Sequence, residues 1–387
     1  IGGCVLLLVS FGIRHSSGLY MIPVSEHLLT GREVFGFAVA IQFLMIGFGS
    51  PLFGAIADKY GSSKAALYGV ILLIIGLYMM SKVQSSLEII ISQAIFGLGS
   101  AGCGTAVVLG AVGKAVEEKN RTLSLGIVMA AGSLGQFLIV PLAGFLINLS
   151  GWTQSIIYLC FISSIMIIFC FTLTLPKKNG EDSERNNRSL KSVLDEAFAN
   201  KSYNLLTLGF FVCGFHVSFV ATHLPAYLED ISLPIWIGSW SLALIGLFNV
   251  FGTLMFGKMG DSKSKKNLLA ILYSLRAVLF LIFIFLPKNE ITILIFAALL
   301  GILWLSTVPL TSGIISVIFG SRYMSMLYGF TFLSHQIGSF LGSWFGGRLY
   351  DYYGSYDIMW WMCVALGFIS AAVHMPIIEK PLSQQYS

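Results

Sequence analysis

The sequence predicts an all-α integral membrane protein with twelve transmembrane helices in two pseudo-symmetric six-helix bundles. Three observations predict this fold: the composition, a series of twelve apolar runs, and an internal repeat. Of the 387 residues, 56% are hydrophobic and only 11% are charged, whereas soluble domains carry roughly 25% charged residues. A single soluble core cannot bury so much apolar surface, so lipid must be the solvent for much of the chain.

Twelve apolar runs are each long enough to cross the ~30 Å hydrocarbon core of a bilayer. They are called spans 1 to 12, and their predicted bounds are 2–28, 34–57, 65–83, 88–113, 122–148, 152–175, 203–229, 236–257, 267–286, 290–318, 324–350 and 356–376. The predicted domains follow from the spans: a first bundle at 1–175, a cytoplasmic connector at 176–202, a second bundle at 203–376 and a cytoplasmic tail at 377–387.

The connector carries many charged residues, and its last part has the hydrophobic spacing of a helix. Apolar residues recur there at i, i+3, i+4 and i+7, namely Leu190, Val193, Leu194, Ala197 and Phe198. This spacing predicts a short amphipathic helix that lies on the membrane surface.

The two halves of the chain repeat with a constant offset of 203 residues. Near span 2 and again near span 8, Gly49, Gly54 and Asp58 match Gly252, Gly257 and Asp261. Farther along, the residues Gly135, Phe137, Leu138, Gly144, Leu146 and Gly151 match Gly338, Phe340, Leu341, Gly347, Leu349 and Gly354. Six spans return the second half to the side where the first began, so the repeats are parallel.

The basic residues predict the orientation of the chain in the membrane. If the 58–64 loop is cytoplasmic, 17 lysines and arginines lie on the cytoplasmic side, and only Arg32, Lys82, Lys288 and Arg348 lie outside. By the positive-inside rule, both termini are then cytoplasmic. We expect a multi-pass protein of a bacterial inner (plasma) membrane. Because the chain starts at Ile1 rather than at methionine, we also expect a short segment before it.

A charged loop follows span 2 and reads Gly54-Ala-Ile-Ala-Asp58-Lys59-Tyr-Gly61-Ser-Ser-Lys64. A shorter copy, Gly257-Lys-Met-Gly-Asp261, follows span 8. Both resemble the signature loop of the major facilitator superfamily. The resemblance implies the major facilitator fold for the whole chain, and a role for Asp58 and Lys59 in latching the cytoplasmic gate. The alternative is that Asp58 only caps a helix and orients a turn.

Two further stretches, 10–23 in span 1 and 132–142 in span 5, resemble the monocarboxylate transporter and oxalate–formate antiporter branch of that superfamily. This resemblance implies a transporter of small organic anions. The branch usually carries a basic residue in span 8, where this chain reads 246–253 with Asn249 and no charge.

Only two basic residues, Arg14 and Arg276, fall in the interior of predicted spans; the other basic residues and all 18 acidic residues lie in loops or at span ends. An arginine at mid-span costs about 2.5–3.5 kcal/mol on insertion scales, so it must face a cavity or find a partner. A guanidinium matches a carboxylate in geometry. In the superfamily, spans 1, 4, 7 and 10 line the cavity, which favours Arg14 as a substrate ligand over a role in binding backbone carbonyls of a broken helix. For Arg276, interhelical packing or a water-filled crevice is favoured.

Other polar residues inside spans complete the candidate substrate site: His15, Tyr20, Gln136, His216, Asn249, His335 and Gln336. The candidate proton carriers are His216, His223 and His335, because the reference pKa of histidine, about 6.5, allows it to switch near neutrality. His335 and His216 rank first, and His335 stands where oxalate-exchanging members carry lysine. Two alternatives stay open: buried histidines are often core groups, and mid-span amides also join helices.

These observations predict a secondary transporter that moves a small organic anion, a monocarboxylate, by rocker-switch alternating access, through proton symport or anion exchange. The alternatives are an efflux transporter of hydrophobic compounds and a transporter-like sensor or receptor. No nucleophile–base pair or phosphate loop is legible, and the six cysteines lack metal-ligand spacing, so we expect no enzyme, no cofactor and no metal. We expect a monomeric transport unit in the lipid bilayer, without a nucleic-acid partner.

Overall fold

The computed structural model describes the chain as long helices joined by short turns. The described residues are 1–116, 118–173, 190–320 and 324–382. Ten helices in this part are long and apolar enough to cross a membrane, and one of them, Ser124–Leu173, contains two spans. Its axis breaks at Gly151, where φ is +79°. A further 30-residue helix, Met324–Tyr353, packs among them, so the described chain contains twelve spans.

The helices begin and end within a few residues of the predicted bounds. In span order they are Gly2–His15 with Met21–Leu28, Arg32–Tyr60, Ser62–Met80, Ser86–Gly102 with Thr105–Ala115, the kinked Glu118–Cys170 for spans 5 and 6, Lys201–Asp230, Ile235–Ser262, Lys265–Phe285, Glu290–Leu303 with Thr307–Phe319, Met324–Tyr353, and Asp357–His374. Spans 1, 4 and 10 are therefore broken. Such breaks at membrane depth are tolerated only where protein or water satisfies the freed backbone groups.

The predicted connector lies partly outside the described residues, since 174–189 are among those left out. Most of the basic residues assigned to it, Lys177, Lys178, Arg185 and Arg188, fall in that part. Its end forms the helix Leu190–Ala199. Val193 and Ala197 are buried on one face of this helix, whereas Phe198, which the spacing places on the same face, is 49% exposed. Residues 383–387 of the predicted tail also lie outside the described part.

The 203-residue offset relates contacts between helices as well as residue types. A Cβ atom at Gly135 in span 5 would overlap the carbonyl oxygen of Leu8 in span 1. A Cβ atom at Gly338 in span 11 would overlap the carbonyl oxygen of Phe211 in span 7. Both residues of the second pair lie 203 positions after those of the first. Each half therefore uses an equivalent glycine to bring the same two helix backbones into contact.

We expect Gly338→Ala to destabilise the protein, because the added methyl group would meet the Phe211 carbonyl. Overpacking of this kind costs about 1–3 kcal/mol, so the melting temperature of the purified protein should fall by several degrees. Gly329→Ala is the matched control on the same helix, since a Cβ atom there meets nothing within 4 Å. Its melting temperature should stay unchanged or rise slightly, because alanine has the higher helix propensity. Equal effects of the two substitutions would contradict the close packing.

The outer faces of the helices carry large apolar side chains. Phe145, Phe161, Ile168, Phe251 and Leu254 are each 60% exposed or more. Side chains of this kind are costly in contact with water, and acyl chains are their natural surroundings. The two halves meet each other along span 2 with span 11, and along span 5 with span 8. These two pairs are equivalent under the repeat, so the centre of the molecule lies between them.

Candidate functional site

The two halves are joined by an ion pair at the end of the molecule that carries Arg32, called the Arg32 side. The guanidinium of Arg32, at the start of span 2, donates to both carboxylate oxygens of Asp230 in span 7, at 2.7 and 2.6 Å. The same guanidinium lies 3.8 Å from the ring centroid of Tyr350 in span 11 and donates to the hydroxyl of Tyr356 at 3.1 Å. Bidentate pairing and stacking together fix its geometry.

A second link between the halves completes the first turn of span 2. The N-cap residue, Gly31, has no side chain to accept from the free backbone N–H groups of that turn. The carboxylate of Asp351, at the end of span 11, takes this role: it accepts from the backbone nitrogen of Arg32 at 2.9 Å and from that of Glu33 at 2.7 Å. A negative charge there also complements the positive end of the helix dipole.

The opposite end of the molecule carries the 58–64 loop and is called the Asp58 side. Between described residues, cross-half hydrogen bonds, ion pairs and ring contacts extend from the Arg32 side only to mid-depth. The deepest include Gln336 Nε2 donating to the Phe43 carbonyl at 3.1 Å and Asn249 Nδ2 donating to Ser133 at 3.0 Å. Farther toward the Asp58 side, a Cβ atom at Gly110 in span 4 or Gly329 in span 11 would meet nothing within 4 Å. The cross-half links between described residues are therefore confined to the Arg32 side and to mid-depth.

Arg14 lies at the break of span 1, one residue before the end of the helix Gly2–His15. Its side chain is only partly buried, and its guanidinium carbon stacks 4.4 Å above the ring centroid of Phe11. Among the described residues, no hydrogen-bond acceptor or carboxylate pairs with it. The neighbouring His15 is buried and bonds through Nδ1 to the Phe11 carbonyl at 2.9 Å. Arg14 is therefore a mid-span cation with free donors.

His335 in span 11 has one free ring nitrogen. Its Nδ1 lies 3.0 Å from Oε1 of Gln336. An amide oxygen can only accept, so Nδ1 carries the proton in the neutral ring and Nε2 presents a lone pair. That Nε2 is buried without a hydrogen-bond partner, and the ring is flanked by Phe210 at 4.9 Å and Phe332 at 5.7 Å between centroids. The group can therefore accept a proton or a hydrogen bond.

Arg14 and His335 lie at a similar depth in opposite halves. A Cβ atom at Gly214 would overlap the carbonyl oxygen of His335, so these two residues are level. Gly214 is the repeat equivalent of Phe11, on which Arg14 stacks. Equivalent positions share one depth, because parallel repeats are related by an axis along the membrane normal. No described hydrogen bond joins Arg14 to His335, so any link between them requires an intervening group.

The three mid-span amides predicted for the site bridge the two halves. Besides the bonds of Gln336 and Asn249 given above, Gln136 Nε2 in span 5 donates to the Leu242 carbonyl in span 8 at 2.7 Å. Asn249 Oδ1 also accepts from the backbone nitrogen of Leu305, next to the break of span 10, at 2.9 Å. The amides thus join helices, which was one of the two roles expected of them. Tyr20 lies within the first half and its hydroxyl bonds to that of Ser155 at 2.8 Å.

His216 and His223 occupy different surroundings although both belong to span 7. His216 is fully buried, its ring lies 5.1 Å from that of Phe280 in span 9, and neither of its nitrogens has a hydrogen-bond partner. His223 lies near the Arg32 side, where it bonds to the Tyr356 hydroxyl at 3.1 Å and to the Ser343 carbonyl at 2.7 Å. His223 is therefore part of the closed side.

Arg276 satisfies backbone carbonyls at the break of span 10. It is fully buried and donates to the carbonyl oxygens of Leu303 and Trp304, the latter at 2.6 Å. The helix Glu290–Leu303 ends there, so these carbonyls lack intrahelical partners. All of these contacts lie within the second half. Arg276 therefore joins span 9 to the break of span 10, and its role in the protein stays a prediction.

In the part of the chain that the structure describes, the signature loop forms one ion pair, with span 4, and both residues of the pair belong to the first half. Lys114 Nζ in span 4 lies 2.6 Å from Asp58 Oδ1, with side chains 54% and 73% exposed. A pair so open to solvent contributes about 0–1 kcal/mol to stability.

The other residues predicted for the gating loop and its copy are exposed or partly exposed. Gly61 has φ +99°, a conformation that favours glycine. Lys59 lies over the ring of Tyr60 at 5.2 Å, and a Cβ atom at Gly54 would meet nothing within 4 Å. In the second copy, Gly257 approaches Pro309 of span 10, and Lys64 and Asp261 are exposed.

Sequence reasoning did not single out Arg32, Asp230 and Asp351. Charged residues at span ends are typical of loops, so nothing in the sequence distinguishes a pair that closes one side of the molecule. The one available signal was their position: a base opens span 2, and acids close spans 7 and 11. The start of span 2 and the ends of spans 7 and 11 come together only when the two halves pack against each other along span 2 and span 11.

The comparisons with known proteins agree with the fold. A family model described as Major Facilitator Superfamily matches residues 3–343. An uncharacterized MFS-type transporter, YcxA of Bacillus subtilis (strain 168), is 22% identical over 384 residues, which cover 96% of this chain and 93% of that protein. The oxalate:formate antiporter of Oxalobacter formigenes is 20% identical, and the match covers 97% of this chain and 90% of that protein. Monocarboxylate transporter 13 of Rattus norvegicus is 21% identical, and the match covers 89% of this chain and 80% of that protein.

Solved structures give the same result for the architecture. A D-xylose-proton symporter superposes with a TM-score of 0.77 at 14% sequence identity, over 97% of both chains. A mutant of the nucleoside transporter NupG superposes with a TM-score of 0.75 at 14% identity, over 98% of this chain and all of that one. The predicted fold class and the predicted family resemblance are therefore confirmed.

Proposed function

The chain belongs to the major facilitator superfamily, and from that premise we propose that it is a secondary transporter of a small organic anion, a monocarboxylate. The observation that carries this proposal is Arg14. Its guanidinium is partly exposed at mid-span, and no described carboxylate or carbonyl pairs with it. A cation in a low-dielectric setting attracts an anion, and the planar guanidinium binds a carboxylate through two parallel hydrogen bonds.

The substrate would reach Arg14 by alternating access. The Arg32 side is closed by the bidentate pair with Asp230, whereas no described hydrogen bond, ion pair or ring contact joins the halves on the Asp58 side. With both termini in the cytoplasm, the orientation that the positive-inside rule favours, this is an inward-facing conformation in a bacterial inner membrane. Breaking the contacts of Arg32 and joining the halves on the Asp58 side would give the outward-facing one. One chain contains both halves and so suffices as the transport unit.

The similar proteins support an anion rather than a sugar or a nucleoside. The relatives include an oxalate:formate antiporter and monocarboxylate transporters, at 20% and 21% identity over most of their length. The sugar and nucleoside transporters among the solved structures are only 14% identical. Arg14 adds a physical reason, since a neutral sugar gains little from an unpaired guanidinium.

Uptake into proteoliposomes tests the substrate class. The purified protein should take up labelled lactate, formate or oxalate saturably, and an excess of the same unlabelled anion should compete. Protein-free vesicles and a neutral solute such as xylose are the controls. If none of the three anions enters above the protein-free rate, the anion assignment is wrong, although membership of the superfamily stands.

A substitution of His335 distinguishes proton symport from anion exchange. We expect an inward proton gradient to stimulate uptake several-fold in the wild type, and His335→Gln to remove that stimulation, because Nε2 of this ring is a free proton acceptor near the depth of Arg14. His216→Gln is the matched control: the ring of His216 is enclosed by Phe215 and Phe280, so its loss should leave the stimulation intact. Stimulation that survives in His335→Gln would contradict this role.

A further inference from the structure

Cys213 in span 7 lies at the centre of a polar cluster inside the second half. Its sulfur is 3.6 Å from Nη1 of Arg276 in span 9 and 3.3 Å from the hydroxyl of Thr307 in span 10. All three side chains are fully buried. His335, Tyr273 and Tyr328 lie close to the same sulfur, so residues of spans 9, 10 and 11 surround it.

The guanidinium of Arg276 needs a negative partner. A buried charge without compensation is strongly destabilising, and in the described part of the chain no carboxylate pairs with Arg276. The end of the helix Glu290–Leu303 offers about half a negative charge through its dipole, which compensates the guanidinium only in part. The Nε atom of Arg276 is buried without a hydrogen bond, so carbonyl groups do not satisfy the whole head group.

Two structural features near Cys213 could stabilise a negative charge on its sulfur: the guanidinium of Arg276 and a helix N-terminus. Thr307 is the first residue of the helix Thr307–Phe319, so the sulfur lies at the positive end of that helix. A neighbouring arginine and a helix N-terminus each stabilise a thiolate, whereas burial in apolar surroundings opposes it. A neutral thiol would donate to the Thr307 hydroxyl at 3.3 Å or to the Trp304 carbonyl at 3.9 Å, whereas beside a thiolate the Thr307 hydroxyl donates to the sulfur. The Trp304 carbonyl already accepts from Arg276 at 2.6 Å.

We propose that Cys213 is a thiolate and the counter-ion of Arg276, so that a buried sulfur–guanidinium pair locks the break of span 10 to spans 7 and 9. Other titratable groups are poorer candidates for the negative charge. Tyrosine is a weaker acid than a thiol, which leaves Tyr273 and Tyr328 neutral. His216 and Cys363 also lie near Arg276. A histidine cannot supply an anion, and Cys363 forms no described hydrogen bond with the guanidinium. The pair gives the second half an acidic group in the interior of its spans, away from the carboxylates at the span ends.

Infrared spectroscopy of the full chain tests this directly, because only a protonated thiol has an S–H stretching band. All six cysteines are free. The control Cys363→Ser removes a buried thiol near the same arginine and should lower the integrated band by about one fifth, because five of the six cysteines carry a proton if Cys213 is a thiolate. Cys213→Ser should leave the band unchanged, because the wild-type sulfur carries no proton. A loss in Cys213→Ser equal to that in Cys363→Ser would overturn the proposal.

Two further variants keep the test decisive if Cys213→Ser does not fold. Cys213→Asp retains an anion beside Arg276 and should likewise leave the S–H band unchanged; a loss of one thiol's intensity would overturn the proposal in the same way. Arg276→Gln removes the cation, so the sulfur should take up a proton and the band should gain the intensity of one thiol. A band that stays constant in Arg276→Gln while falling in Cys213→Asp would show a neutral thiol throughout. None of these readings depends on which solute is transported.

Discussion

We expect Arg14→Gln to raise the KM for a carboxylate anion about 10- to 100-fold, because hydrogen bonds to a charged group contribute about 1.5–3 kcal/mol. Glutamine keeps the length and part of the hydrogen bonding of the side chain but removes the charge. Since Arg14 makes no hydrogen bond to a described residue, the substitution breaks no structural contact except its stacking on Phe11. The measurement is the concentration dependence of labelled anion uptake into proteoliposomes at fixed protein density.

Two control variants separate charge from geometry in this prediction. Arg14→Lys keeps the positive charge but loses the planar fork, so its KM should lie between those of the wild type and Arg14→Gln. Arg348→Gln removes an arginine from the Arg32 side, where its side chain is 58% exposed, and should leave the KM unchanged. A wild-type KM in Arg14→Gln would contradict the assignment of Arg14 as the anion ligand.

The second large effect concerns the closed side of the molecule. We expect Arg32→Gln to shift the protein toward a conformation that is open on the Arg32 side by about 2 kcal/mol, or roughly 30-fold in population, since the variant loses a bidentate ion pair and a cation–π contact. The side chains of Arg32 and Asp230 are only 13% and 27% exposed, so water screens this pair less than a surface pair. The Gly135 and Gly338 contacts lie within the halves and should not change.

Spin-label distances across the Arg32 side measure this shift. Leu87 and Ile291 begin equivalent helices of the two halves on that side and are 65% and 71% exposed, so cysteines placed there can be labelled. Cys4, the native cysteine that is not buried, is replaced by serine in this background. Arg32→Gln should add or enlarge a population at longer distance, whereas Lys82→Gln should not, because Lys82 is exposed on the same side and makes no cross-half contact to a described residue. Identical distance distributions in both variants would show that the Arg32–Asp230 pair does not hold this side closed.

Much of the fold could be predicted from the sequence, because lipid imposes simple rules on the chain. Apolar length marks a span, and the matches of Gly135 with Gly338 and of Asp58 with Asp261 mark two equivalent halves. The structure extends that equivalence to backbone contacts, as Leu8 and Phe211 demonstrate. The breaks of spans 4 and 10 could not be predicted, since the residues at Cys103–Gly104 and at Trp304–Ser306 are as apolar or small as their neighbours.

Only part of the candidate site could be predicted from the sequence. Arg14 and Arg276 stand out because a charge inside an apolar run is costly wherever it lies. Whether such a charge is free or satisfied depends on the partner helix: the break of span 10 satisfies Arg276, and no described group satisfies Arg14. The spacing of His216 and His223 indicated one helix face. It gave no information on which residues of spans 9 and 11 would surround each ring.

The cap that Asp351 provides for span 2 makes the backbone itself a reporter of the transport cycle. While the Arg32 side is closed, the amide hydrogens of Arg32 and Glu33 are held by a carboxylate from the other half. When that side opens, these two amides face solvent, because Gly31 has no side chain to replace the lost acceptor. Their rate of deuterium uptake is therefore set by the fraction of time that the Arg32 side spends open. A peptide spanning this turn would record how a bound anion or a proton gradient divides the time of the protein between its two conformations, with no label attached.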